Sequence, residues 1–190
     1  MAHLAEDAIV WWARMEAQTG RALTAPFWAT AWPGGQAVAR YLLDNPSTVA
    51  GRRVLDVASG SGPIAIAAGL AGAAAVMAND IDPYALAAIT MNATANGVTV
   101  STSPGDLLDG DGGDADVVLA GDVFYSHAIG NRMWPFLRRA AARGAHVLVG
   151  DPGREHLPRK RMTTLASYPP PRAGDSTEPY ISRLNVLQPR

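Results

Sequence analysis

The apolar positions of this chain change period several times, and each change marks a boundary. Leu4, Ala8, Ile9, Trp12 and Met15 recur at helical spacing over residues 3–18, and Gly20 ends them. Residues 34–45 repeat the pattern with Val38, Tyr41 and Leu42 inward, and Pro46 stops it. From there, short apolar runs alternate with helical stretches. The runs at 53–58, 73–79, 98–102, 115–121 and 146–150 read as strands, and 115–121 is apolar enough for a centrally buried one. Pro63 opens a helix at a position where its missing N–H costs nothing. Asp82 reads as a helix cap with Pro83 behind it, and Asn96-Gly97 ends that helix. Residues 129–143 place Met133, Phe136, Leu137 and Ala140 on one face. Residues 161–168 and 180–187 read as a closing hairpin, and their proline- and glycine-rich connection, 169–179, is expected to be mobile. This order predicts a parallel α/β sheet in a single domain over 1–190, with 1–45 as an N-terminal helical cap.

Composition narrows the function. Of 190 residues, 48% are apolar, which is enough for a buried core, and the net charge is -1. The densest basic run, Pro158-Arg159-Lys160-Arg161, is too short to argue a nucleic-acid partner and reads as a solvated helix end. There is no cysteine, which excludes disulfides, thiolate catalysis and zinc–cysteine sites. No apolar stretch is long enough to span a bilayer without glycine or charge, and the N-terminus lacks a secretory pattern, so a cytoplasmic location is expected.

The chemistry centres on Leu55-Asp56-Val57-Ala58-Ser59-Gly60-Ser61-Gly62, an apolar run ending in an acid and a tight turn, followed by a second strand closed by Asp80. A dinucleotide site wants three glycines spaced to seat a pyrophosphate, whereas here positions 58 and 65 are alanine. Asp56 before the turn would repel phosphate and suits a cation, so S-adenosylmethionine fits better than NAD; a purely structural glycine turn is the plain alternative. Asp80 is placed to accept ribose hydroxyls, with Asp82 competing for that role and Ile81 beside it to pack on adenine. Asp106 and Leu107 follow the third strand, where an acid and a backbone N–H can meet the adenine edge, or where Asp106 merely forms a turn. The acidic run 109–114 lacks the glycine and glutamate of a calcium loop. Gly121 and Asp122 follow the fourth strand, with Tyr125 three residues on. Such residues face the ligand crevice of an open sheet, where Asp122 can hold an amine and Tyr125 can offer a π face or a hydroxyl; the alternatives are a helix-capping Asp and a packed Tyr. Trp28 and Trp32 beside Gly34 and Gly35 either wall the channel or plug the N-terminal helix onto the sheet. Arg154 follows the fifth strand and either binds substrate or shapes an exit turn. The four histidines form no metal motif and no nucleophile elbow surrounds Ser59 or Ser61.

Residues 28–36, 55–62, 79–83 and 121–125 together resemble the family 16 seven-strand methyltransferases, in particular the electron-transfer flavoprotein beta-subunit lysine methyltransferases and their bacterial relatives. That resemblance covers nearly the whole chain from about residue 4. It implies a class I, Rossmann-like α/β fold, a three-layer sandwich with a terminal antiparallel hairpin. It implies an S-adenosyl-L-methionine-dependent N-methyltransferase acting on protein lysine, with the electron-transfer flavoprotein beta subunit as the expected partner. On matching positions, Asp122 and Tyr125 are the expected catalytic residues. Trp32, Gly34, Asp56, Ala58, Ser59, Gly60, Gly62, Asp80, Ile81, Asp106, Leu107 and Gly121 would bind cofactor, and Trp28, Tyr125 and Arg154 substrate; no metal is implied. Ala58 departs from the family glycine, and the N-terminus is shorter than the branch suggests. A small-amine methyltransferase and a non-catalytic nucleoside-binding protein remain the alternatives.

Overall fold

The computed structural model describes residues 8–22, 25–170 and 181–190, and the side chains from residue 10 onward. The expected Leu4, Ala8 and Ile9 contacts and nearly all of the 169–179 connection lie outside the described residues. The elements run α1 (Ala8–Thr19), α2 (Pro33–Asp44), β1 (Arg53–Val57), α3 (Pro63–Leu70), β2 (Ala75–Asp80), α4 (Pro83–Ala95), β3 (Ser101–Pro104), β4 (Val117–Gly121), α5 (His127–Ala142), β5 (His146–Asp151), β6 (Met162–Tyr168) and β7 (Leu184–Pro189). The strands form one seven-stranded sheet ordered β3-β2-β1-β4-β5-β7-β6. β1 to β5 are parallel, and β7 runs antiparallel between β5 and β6. The winding reverses between β1 and β4, which places a crevice at their carboxyl ends.

The helix punctuation acts as expected. Pro63 opens α3 behind the left-handed Gly62, and the Asp82 carboxylate accepts the Tyr84 N–H at 2.8 Å to cap α4. Ser126, not Asp122, caps α5 through the Ile129 N–H. β3 starts three residues later than its apolar signal. Val98 is consumed by the end of α4: Gly97 is left-handed, its N–H reaches the Thr94 carbonyl, and the Val98 N–H reaches that of Ala93. This paired closure brings a hydrophobic residue back onto the helix, so Val98 packs by Gly69 and not in the sheet.

The sheet is buried from both faces. Val38 and Leu42 of α2, Ile64 and Ala68 of α3 and Ile89 of α4 pack on one face; Met133, Phe136, Leu137 and Ala140 of α5 pack on the other. The helical cap expected over 1–45 therefore divides. α2 is an integral helix of the first layer because Ala37, Val38 and Leu42 bury completely. α1 stays at the rim, where the Trp11 ring meets Trp28 at 5.7 Å and Tyr84 at 5.9 Å, both edge-on.

Candidate functional site

After β1 the chain enters a turn that alternates left-handed residues: Ala58 (φ 54), Gly60 (φ 59) and Gly62 (φ 87). Glycine adopts this conformation freely, whereas alanine carries about 1–2 kcal/mol of strain, so Ala58 holds a position that local sterics would give to glycine. Tertiary bonds impose it. The Ser59 N–H reaches the Asn79 carbonyl, the Gly60 N–H reaches Asp80 at 2.9 Å, and Asn92 of α4 donates to the Ser61 carbonyl.

Asp56 lies fully buried beneath this turn. One oxygen accepts the Ser59 hydroxyl at 2.5 Å and the Ala65 N–H at 3.1 Å; the other, also buried, has no partner. Burial pushes its pKa up to about 7 against the pull of those two donors. Asp80, partly buried at the end of β2, accepts the Gly60 and Asp82 N–H groups on separate oxygens, leaving a lone pair on each. Burial raises its pKa too. Ile81 beside it is exposed. The turn thus presents the Asp80 carboxylate with acceptor capacity unmet and the apolar Ile81, above the buried Asp56. That chemistry fits a cationic nucleoside and disfavours a pyrophosphate.

Asp122 follows β4 in a left-handed conformation (φ 57) and is 6% exposed. Its oxygens accept the Gly35 N–H at 2.9 Å and the Arg154 guanidinium at 2.8 Å. It therefore closes the start of α2, whose own cap, Trp32, offers no side-chain bond, and it does so from across the sheet. Burial lifts its pKa to about 6, opposed by Arg154 and the Gly35 N–H. The Arg154 guanidinium also sits 5.9 Å from the Trp32 ring centre, and its turn is held by Asp151, which accepts the Gly153 and Arg154 N–H groups.

Gly34 and Gly121 make this arrangement possible by absence of bulk. A Cβ at Gly121 would lie 2.7 Å from Gly35 Cα, and one at Gly34 would collide with the Gly150 carbonyl and the Asp122 carboxylate. Tyr125 is 55% exposed and stacks on Phe27 at 5.7 Å, while its neighbour Phe124 takes the buried position. Phe27 also lies against Trp32 and accepts the Trp32 indole N–H on its carbonyl. Trp28 turns to Trp11.

The structure thus gathers Trp32, Gly34, Asp56, Ala58, Ser59, Gly60, Gly62, Asp80, Gly121, Asp122 and Arg154 around one crevice. Asp106 follows Gly105, whose N–H reaches the Asp80 carbonyl; its carboxylate takes Arg132 of α5 at 2.5 Å and the Leu108 N–H, and Leu107 packs against the second core. The 109–114 run is a solvated turn, pinned by Arg139 and Arg143 on the carbonyls of Leu108, Gly110, Asp111, Gly112 and Ala115. Among the described residues no cluster suits a metal ion. Neither Phe27 nor Asn79 carries a role in the sequence reading; each acts through partners remote in sequence, Phe27 through Tyr125 and Asn79 through the Ser59 N–H and the Ser103 and Gly105 carbonyls.

Residues 41–123 match the family model described as ribosomal protein L11 methyltransferase (PrmA). The chain is 44% identical over 149 residues to the electron transfer flavoprotein beta subunit lysine methyltransferase of Danio rerio, covering 75% of this chain and 58% of that one. It is 41% identical over 166 residues to that of Mus musculus, covering 83% and 63%. The chain thus spans about three fifths of the length of the curated relatives it matches. Among solved structures, magnesium protoporphyrin IX methyltransferase (ChlM) of Synechocystis PCC 6803, with bound SAH, superposes with a TM-score of 0.57 at 18% identity over 82% of each chain. The architecture is that of the class I methyltransferases.

Proposed function

On the premise that this chain is homologous to the electron transfer flavoprotein beta subunit lysine methyltransferases and has the class I fold, we propose that it is an S-adenosylmethionine-dependent protein-lysine N-methyltransferase. The substrate is a lysine of an electron-transfer flavoprotein beta subunit. The observation that carries this reading is the buried, left-handed Asp122 at the carboxyl end of β4, one strand from a turn with unmet carboxylate capacity.

S-adenosylmethionine, when bound, supplies a methyl group on a sulfonium. Asp56 and Asp80 bring negative charge to the turn that receives it, and Asp80 has lone pairs for ribose hydroxyls. The exposed Ile81 offers an apolar face for adenine, and Gly60 and Gly62, which carry no side chains, leave room for close approach to the backbone of the turn. On the substrate side, Phe27 and Tyr125 form an aromatic mouth that lowers the local dielectric. Lysine has a reference pKa near 10.4, so the attacking neutral amine must be favoured. The Arg154 guanidinium opposes a second cation in the crevice and thereby favours the neutral form. Asp122, fixed by Gly35 and Arg154, accepts the amine N–H and aims its lone pair. Most of the acceleration comes from holding the two reactants in line.

The test is direct. The purified protein, labelled S-adenosylmethionine and recombinant electron-transfer flavoprotein beta subunit are incubated, and the product is mapped by peptide mass spectrometry. Label on lysine supports the reading; label only in small molecules of a lysate moves the substrate to a free amine.

A further inference from the structure

The loops that carry Tyr125 and Arg154 continue into a second feature that the methyl-transfer site does not use. His127, Gly130, Asn131 and Trp134 recur along one face of α5 and form one wall of a cleft of about 360 Å³, with His156 and Pro158 opposite. The two imidazoles meet edge-on at 6.0 Å. Pro158 is shared with an adjoining cleft of about 500 Å³ lined by Arg154, Arg159, Lys160 and Arg161, in which Glu155 is the one carboxylate. Arg159, Lys160 and Arg161 are exposed. Ion pairs among the described residues join Arg40, Arg53, Arg132 and Arg154 to aspartates, and none involves these three. Lys160 is also the sole lysine of the chain.

Resting on the reading of this chain as a protein-lysine methyltransferase, we propose that the surface made by the first turns of α5 and residues 156–161 docks an acidic stretch of the protein substrate beside its target lysine. The complementarity is one-sided: donors and cations line the clefts, and a protein of net charge -1 concentrates them there. Position supports the same occupant. His127 lies two residues past Tyr125 and His156 two past Arg154, so a chain leaving the crevice passes directly over both walls. An extended peptide advances about 3.3 Å per residue, so acids a few residues from the lysine reach the 159–161 turn. A nucleic-acid footprint spreads many cations over a face in a basic protein, whereas here three occupy one turn of a chain with pI about 6.4.

Binding is tested apart from catalysis. Fluorescein-labelled hexaglutamate, hexaglutamine and hexauridylate probes are titrated with the full chain by fluorescence anisotropy at about 50 and about 300 mM salt. Hexaglutamate is expected to bind and to weaken several-fold at the higher salt. The double variant Lys160→Glu/Arg161→Glu should weaken it about tenfold or more and should capture hexalysine instead, with S-adenosylhomocysteine affinity as the check on folding. Arg159 is spared because it donates to the Gly153 carbonyl and holds the turn. Equal binding of hexaglutamine, or hexaglutamate binding that survives the double variant, overturns the proposal. Tighter hexauridylate binding lost in the same variant overturns it in favour of a nucleic acid. If hexaglutamate binds here yet no label reaches a protein lysine, the acid-binding surface stands and the protein-lysine reading falls.

Discussion

Asp56 and Asp122 lie buried at the carboxyl ends of the central strands, whereas Asp106, Asp109, Asp114 and Asp116 stand around the 105–116 loop against arginines. Burial drives the first pair up, to about 7 and about 6. Arg53 pulls Asp116 down to about 2, and Arg132 holds Asp106 below the usual carboxylate range. The residue type is the same and the physical state is opposite. A carboxylate paired with arginine in water has its demand met and contributes modestly to the fold. A carboxylate held under the sheet's end with capacity left over has a demand that a ligand can meet.

The sharpest way to break this contrast is to truncate one acid from each set. Asp122→Ala should lower turnover about 100- to 1000-fold with adenosylhomocysteine affinity changed far less, while Asp106→Ala should leave both near wild type. Turnover and calorimetry on the two variants decide it; loss of cofactor affinity in Asp106→Ala would return that residue to the adenine edge and end the contrast. In the wild type, activity should fall as pH drops through about 6, where Asp122 takes up a proton.

Asp80→Ala comes next. Losing a charge-assisted acceptor costs about 1.5–3 kcal/mol, or roughly ten- to a hundredfold in cofactor affinity by calorimetry. Because Asp80 also receives the Gly60 N–H, the variant should lose protection at Gly60 in amide exchange as well. Unchanged affinity would hand the ribose to Asp82.

A smaller effect concerns stability against pH. The Asp56 pKa is higher folded than unfolded, so its contribution is full at acid pH and is lost as pH rises through about 7. Asp56→Asn should therefore raise the melting temperature of the cofactor-free protein by about 2–4 °C at pH 8 relative to wild type, with the gain gone by about pH 5. Equal differences at both values would mean that Asp56 is neutral throughout.

The smallest effect belongs to the exposed set. Asp116 accepts the Nε and Nη2 N–H groups of Arg53 and the Arg53 backbone N–H, and the stability from its lowered pKa is present above the unfolded value and is lost as pH falls toward about 2. Asp116→Asn should change the melting temperature by no more than about 2 °C near neutrality. A larger drop on calorimetry would make the loop part of the cooperative core.

The sequence made the sheet legible because its punctuation is local: Pro63, Asp82-Pro83 and Gly97 act within one turn of where they stand. It misplaced β3 for the same reason, since Val98 satisfied a helix end before it reached a strand. The crevice acids were legible by position after strands. Their states were not, because each is set by a partner far along the chain: Asp122 by Gly35 and Arg154, Asp106 by Arg132. The stacking of Tyr125 on Phe27 was not legible, because it depends on how the segment before α2 folds back.

The contact of Gly34 and Gly35 with Gly150 and Gly121 has a consequence for anyone who diversifies this protein. At three of them, Gly34, Gly121 and Gly150, there is no space for a methyl group, so a saturation library should return glycine alone there; Gly35 has ordinary room, since its added Cβ would lie 3.9 Å from Pro63. The gap between helix and sheet is thereby held at one value, like a machined shim, while the 159–161 turn and the aromatic mouth are free to drift. Substrate preference can be re-evolved on those surfaces without disturbing the distance from Asp122 to the turn after β1.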